Sequence, residues 1–231
     1  MKAMILAAGR GERMRPLTDT VPKPLLLAGG KPLIVHLIER LRGEGFCDLV
    51  INHAHLSQQL RAALRDGRSL GVRIQYSAEP QGALDTGGGI LNALPILGDS
   101  PFLVVNGDVW TDYPFHRLVK APPHLAHLVM VDNPPHHLEG DFAVVDGQVD
   151  HRGGSRLTFA GIGVYRQELF VGHGGGRFPL APLLKQAAMH GQVSAEYYGG
   201  QWMDVGTPGR LKELDARLRQ TQATWHPCFD I

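Results

Sequence analysis

Several absences bound the chain before any motif is considered. It has two cysteines in 231 residues, Cys47 and Cys228, far apart and with no ligand spacing around them. That argues against a disulfide framework and for a reduced compartment. No long apolar run occurs at the N-terminus: only six apolar or small residues separate Lys2 from Gly9, too few for a signal-peptide core or a membrane span. Charge of neither sign is in excess, since 23 Lys plus Arg against 22 Asp plus Glu leave a formal net charge of +1. No global field therefore recruits nucleic acid or an anionic membrane, and any anion binding has to be local. A cytoplasmic protein with neither class of partner is expected. Internal repeats are missing too, and the only low-complexity segment is GHGGG at 172–176.

What is present alternates. Branched apolar runs at 3–8, 48–52, 72–76, 102–106, 125–131 and 159–165 read as strands. Between them Leu33, Leu37, Ile38 and Leu41 recur at helical spacing, as do Leu60, Ala63 and Leu64, then Ile90, Ala93 and Leu94. The alternation predicts an α/β fold: one doubly wound, mostly parallel sheet with helices on both faces and function at the C-terminal ends of the strands. The second half is less regular. Phe142–Val145 and Gln148–Val149 suggest a hairpin across Asp146 and Gly147 in a small β-rich substrate lobe, while 180–189 and 208–218 read as further helices.

The stretch LAAGRGERMRPLT, Leu6 to Thr18, sets two glycines and three arginines behind the first strand, with Glu12 as the only acid. A strand followed by glycines brings backbone N–H groups close to phosphate. The dinucleotide fingerprint would need a third glycine where Met14 stands, and the terminal Gly-Lys-Ser/Thr of a P-loop is missing. Instead Arg13 and Arg15 follow the glycines, and Lys23 is held between Pro22 and Pro24. A tight turn with solvated arginines remains the alternative for the two glycines alone. The cations suit several phosphates: a triphosphate meeting a sugar phosphate brings on the order of six negative charges, repelling by several kcal/mol at ~4 Å in a partly desolvated cleft.

Magnesium is the metal expected for that load, held by one or two carboxylates plus phosphate oxygens and water. Asp108 in VVNGDVW, just past a strand, and Asp204 in WMDVGTP are the candidates. Each alone would serve equally as a turn or cap residue. The pairs His53 with His55 and His136 with His137 lack a third ligand at fixed spacing, so structural or solvated roles are expected for them.

Taken in order, LAAGRGERMRPLT, Lys23-Pro24, LDTGGGI at 84–90, NGD at 106–108 and DVGT at 204–207 resemble the sugar-1-phosphate nucleotidyltransferases nearly end to end. The resemblance implies transfer of a nucleotidyl group from a triphosphate to a sugar 1-phosphate, with release of pyrophosphate and Mg2+ as cofactor. It implies nucleotide contacts from Leu6, Ala8, Gly9, Gly11, Glu12, Arg13, Lys23, Gly87 and Gly88, with Arg13, Lys23 and Asp108 catalytic. It implies metal ligation by Asp108 and Asp204, and sugar contacts from Asn106, Asp141, Asp85 and Gly161. Asp85 departs from the pattern, standing where Glu is expected in LETGGGI.

The segments INHAHLSQQ, VNGDVWTDY, GDF at 140–142 and TFAGIGVY most resemble the family's uridylyltransferases of cell-wall recycling, which implies UTP and N-acetylmuramate 1-phosphate as substrates. A mannose-1-phosphate guanylyltransferase, or a catalytically silent nucleotide-sugar sensor, stays open as an alternative. On this reading 1–231 is one domain, with a nucleotide-binding half at about 1–110, a sugar-phosphate half at about 111–207, and a C-terminal helix and tail at 208–231. Many members continue into a left-handed β-helix; the short stretch after Asp204 leads us to expect none, and a monomer or weak homodimer.

Overall fold

A computed structural model describes residues 1–80, 84–122, 124–150 and 153–223. The apolar tail at 225–229 and Cys228 lie outside the described residues. The strands and helices, in chain order, are β1 (Ala3–Leu6), β2 (Leu27–Ala28), β3 (Lys31–Pro32), α1 (Leu33–Gly43), β4 (Asp48–His53), α2 (Ser57–Leu64), β5 (Arg73–Ala78), α3 (Asp85–Leu97) and β6 (Phe102–Asn106). There follow β7 (Val109–Thr111), β8 (Ala126–Val131), β9 (Phe142–Val145), β10 (Gln148–Asp150), β11 (Arg156–Tyr165), α4 (Ala181–Met189), β12 (Val193–Tyr197), β13 (Trp202–Asp204) and α5 (Pro208–Ala223).

Nine strands form the main sheet in the order β5-β4-β1-β6-β11-β8-β12-β10-β9. The first four are mutually parallel, in the register Met4 to Val50 and to Val104, and β8 pairs with β12 in parallel. Between these blocks β11 runs antiparallel to both β6 and β8. The expected hairpin forms as β9 and β10. The hairpin joins the main sheet: β10 bonds to β12, and β9 also pairs with β11, so the second half curls back on itself. Closure of this kind leaves no free edge at that end.

Successive residues of one strand feed different cores, as a sheet covered on both faces requires. Ala3, Ile5, Leu49 and Ile51 pack with Ile34, Leu37, Ile38 and Leu41 of α1 and Leu60 and Leu64 of α2. Met4, Val50, Phe102 and Val104 pack with Ile90, Ala93 and Leu97 of α3 and Leu183, Leu184 and Ala187 of α4. A third, smaller core joins Met14 of the first loop to Leu26, Leu33, Val205 and Leu211 and Leu214 of α5. Because β4 and β5 lie on one side of β1 and β6 returns on the other, a crevice opens at the carboxyl ends where the strand order reverses.

Candidate active site

The loop after β1 is shaped by its own short contacts. Gly11 adopts φ 70°, ψ 38°, and a Cβ there would lie 2.9 Å from Thr18 Cγ2, so both the conformation and the room call for glycine. The hydroxyl of Thr18, itself buried, donates to the Gly11 carbonyl at 2.8 Å. Gly9 faces open space instead: nothing stands within 4 Å of where its Cβ would be. Two of the three arginines turn outward, Arg10 to Glu12 at 3.5 Å and Arg15 to Asp19 at 2.7 Å. Arg15 is thus a surface ion pair, and Arg13 alone of the three lines the cleft. Met14, in the place of a third glycine, is fully buried and anchors the loop to α5.

The cleft is a cavity of about 360 Å³ at the reversal of strand order. Leu6, Ala8, Gly9, Gly11, Glu12 and Arg13 form one wall, and Lys23, Asn106 and Asp108 another. Lys23 Nζ donates to Asp108 Oδ2 at 2.5 Å, with the two side chains 14% and 26% exposed. Asp204 lies next to this pair in the β7–β13 ladder: it faces Val109, and the Val205 N–H donates to the Asp108 carbonyl at 2.7 Å. Its carboxylate accepts from Arg210 Nη1 at 2.5 Å and lies 3.1 Å from His136 Nε2. A Cβ on Gly206, which also lines the cavity, would come 2.5 Å from Arg210 Nη2 and 3.1 Å from Arg13 Nη2. The bare backbone at Gly206 is what lets these two guanidiniums come together.

Across β1 the lining changes character. Asn52 of β4, Glu79 after β5, and Asp85 and Thr86 of α3 face the same cavity. Asp85 has φ 62°, rare for a residue with a side chain, and its Oδ1 accepts the Thr86 N–H at 2.7 Å. His53, next to Asn52, is buried edge-on against Tyr76. Burial, and secondarily the Arg61 charge, lowers its pKa below the usual histidine value. It is neutral at pH 7 and adds no cation to the cleft.

One cleft therefore places Arg13 and Lys23 beside Asp108, with Arg210 and Asp204 adjoining, while carboxylates sit beyond β1. Such a layout favours a molecule with clustered negative charge at one end only. The nucleotidyl transferase family model matches residues 2–156. The chain is 53% identical over 225 residues to the N-acetylmuramate alpha-1-phosphate uridylyltransferase of Neisseria meningitidis serogroup B, covering 94% of this chain and 97% of that protein. The chain belongs to the sugar-1-phosphate nucleotidyltransferases. A second uridylyltransferase of the same name, from Caulobacter vibrioides, is 35% identical over 94% of this chain and 97% of its own. The fold is shared with HddC from Yersinia pseudotuberculosis in complex with GMP-PN, at a TM-score of 0.79 and 20% identity over 94% of this chain and 98% of that one.

Not every expected residue of this nucleotidyltransferase reaches the cavity wall. Gly87 and Gly88 are buried behind it, both N–H groups donating to the Phe178 carbonyl at 3.1 Å, so α3 begins against the glycine-rich loop. Gly161, at φ 70° in the irregular stretch of β11, lies under Asn106: a Cβ there would stand 2.5 Å from Asn106 Nδ2. Asp141 sits apart, accepting the Phe159 N–H at 2.8 Å and lying 3.1 Å from His137 Nε2. His136 and His137, read from sequence as bystanders, thus each touch one of the expected aspartates. Asn52, Glu79 and Arg210 were not singled out from the sequence. A polar residue ending an apolar strand was the available signal for Asn52; Glu79 and Arg210 carried none.

Asp108 and Asp204 fit magnesium by donor chemistry. They offer hard carboxylate oxygens, Asp108 from the turn before β7 and Asp204 from β13 paired with β7, and among the described residues no group of three or more His, Cys, Asp or Glu side chains makes a metal cage by itself. Two carboxylates completed by substrate oxygens are the mode magnesium favours.

Proposed function

We propose that this enzyme transfers UMP from UTP to N-acetylmuramate 1-phosphate, giving the UDP-sugar and pyrophosphate, in peptidoglycan recycling in the cytoplasm. The observation that carries the reading is the 53% identity across nearly the whole of both chains to a protein named for that activity. The charge layout of the cleft supports it. In this scheme about 1–110 hold the nucleotide, about 111–207 the sugar phosphate, and α5 braces them. No nucleic acid or membrane partner is invoked, and among the described residues no helix is long and apolar enough to cross a membrane. The chain works as a monomer or weak homodimer.

An oxygen of the sugar phosphate bonds to the α-phosphorus of UTP as the bond from that phosphorus to the bridging oxygen breaks, and pyrophosphate leaves with the electron pair. The attacking oxygen is already anionic at neutral pH, so aim and charge neutralisation are what the protein supplies. Lys23 neutralises the α-phosphate, and the planar fork of Arg13 takes charge building on the pyrophosphate. Leu6, Ala8, Gly9, Gly11 and Glu12 shape the triphosphate wall. Gly87 and Gly88 act from behind by seating the start of α3. Asn106, carried on Gly161, contacts the sugar phosphate; Asp85 faces the same cleft toward the sugar, and Asp141, which lies off its wall, is assigned to the sugar by the family resemblance. Asp108 and Asp204 would hold Mg2+, which when bound supplies charge neutralisation across the phosphate oxygens.

Pyrophosphate release tests this, with magnesium, each common triphosphate and a panel of sugar 1-phosphates. UTP with N-acetylmuramate 1-phosphate is expected to be fastest. A faster GTP and mannose 1-phosphate pair would make the chain a guanylyltransferase, and no release with any pair would leave only a sensor.

A further inference from the structure

Two polar residues unused in that scheme meet in the wall of the cleft. Asn52 is 3% exposed. Its Oδ1 accepts the Ala7 N–H at 2.6 Å, and its Nδ2 donates to Glu79 Oε1, also at 2.6 Å. The other carboxylate oxygen, Oε2, accepts the Leu84 N–H at 2.7 Å. Ala7 opens the loop after β1, and Leu84 immediately precedes α3. Gly89 of α3 completes the packing, since a Cβ there would lie 2.6 Å from Glu79 Oε1 and 2.9 Å from Asn52 Nδ2.

We propose that Asn52 and Glu79 form a side-chain bridge that fixes the loop after β1 relative to the start of α3, and so positions the nucleoside triphosphate between them. Both are positioning residues, acting through the backbone at Ala7 and Leu84. The inference rests on the nucleotide reading above.

The chemistry of the pair is what makes it rigid. Each end of the bridge receives a backbone donor, so each end must present an acceptor; the middle needs one donor and one acceptor. Asn beside Glu meets all of these requirements in one amide orientation only, because a flipped Asn52 would turn its NH₂ toward the Ala7 N–H. The sheet order gives the bridge its reach: Glu79 follows β5, Asn52 lies near the end of β4 and Ala7 follows β1, three neighbouring strands, while Asp108 follows β6 on the far side of β1. The bridge thus lies away from Lys23 and Arg13, where its carboxylate would oppose phosphate and leaves room for the nucleoside.

The donor and acceptor count supplies its own rescue. Asn52→Asp sets two carboxylates together, and Glu79→Gln turns an NH₂ toward either Asn52 Nδ2 or the Leu84 N–H. The double variant Asn52→Asp/Glu79→Gln restores all three bonds, with the donor in the middle now coming from residue 79 and the net charge unchanged. The test compares these variants with the parent at pH 8 in the pyrophosphate assay with magnesium.

Each single variant is expected to raise KM for UTP by roughly tenfold, about one lost hydrogen bond, while KM for the sugar phosphate stays within about twofold. The double variant is expected to return KM for UTP to within about threefold of the parent. A pair with only a structural role would lower the melting temperature and leave KM for UTP unmoved, which would overturn the inference. So would a double variant no better than the worse single one, since Glu79 would then act by its charge on the ligand. Should a single variant not fold, amide exchange in the parent decides: slow exchange at Ala7 and Leu84 is expected, and fast exchange at either refutes the bridge. An inactive parent removes the nucleotide reading as well, whereas an active parent with unaltered variants removes the bridge alone.

Discussion

Replacing Lys23 by alanine separates folding from chemistry at the centre of the cleft. The ammonium is 2.5 Å from Asp108 Oδ2, and the partners are 14% and 26% exposed. Its loss removes one charge-assisted hydrogen bond, about 1.5–3 kcal/mol, and the partial exposure of Asp108 lets water offset some of that cost. For a chain of this size each kcal/mol lowers the melting temperature by about 2–4 °C, so the variant stays folded at 25 °C. Turnover responds differently, because a preorganised cation at a centre of developing charge contributes about 3–4 kcal/mol, a factor of roughly 10²–10³. Pyrophosphate release at saturating UTP, run beside a thermal melt, reads both quantities. Turnover within about threefold of the parent would refute the reasoning and reduce Lys23 to a structural partner of Asp108.

Three further outcomes follow from the same geometry. Arg13→Lys keeps the charge but loses the planar fork, and turnover is expected to fall about tenfold; an unchanged rate would make Arg13 a surface residue. Gly206→Ala places a methyl 2.5 Å from Arg210 Nη2 and 3.1 Å from Arg13 Nη2, so KM for UTP is expected to rise about tenfold at little cost in melting temperature, and an unmoved KM would show that these guanidiniums need not converge. Glu196 is held below its ordinary pKa of 4.5 chiefly by its hydrogen bond with His127, then by Tyr113 and the Arg117 charge. A depressed pKa adds stability present above the unfolded value and lost as pH falls through the folded one. Glu196→Gln should therefore be less stable than the parent at pH 7, with a smaller further loss below about pH 4.5 in acid denaturation; parallel curves would contradict this.

The first half of the fold was legible because parallel strands buried on both faces are apolar almost throughout: Ala3–Leu6 and Phe102–Asn106 need only length and flanking signals to be recognised. β12 was missed because Ser194 and Glu196 interrupt its pattern, and both are satisfied by tertiary partners, Ser194 by His127 at 2.8 Å and Glu196 by Tyr113 at 2.6 Å. β7 and β13, three residues each, exist through one another across some 90 positions of chain. The cleft shows the same division. Residues contiguous with the glycine loop could be read in place, but the direction of each arginine could not, since it depends on whether Glu12 or Asp19 stands near. Asn52 and Glu79 become meaningful only when β1, β4 and β5 are laid side by side.

The burial of Met14 against Leu211 and Leu214 ties the first loop to α5. A fusion or truncation that disturbs α5 therefore reaches the first loop through a thioether wedged beneath it. Anyone appending a reporter or affinity handle at that end should keep the helix whole as far as Leu218, whose Cβ lies 2.8 Å from where a Cβ on Gly29 would stand. Catalytic decline after such engineering would then report a loosened wedge at Met14, not damage to the chemistry itself.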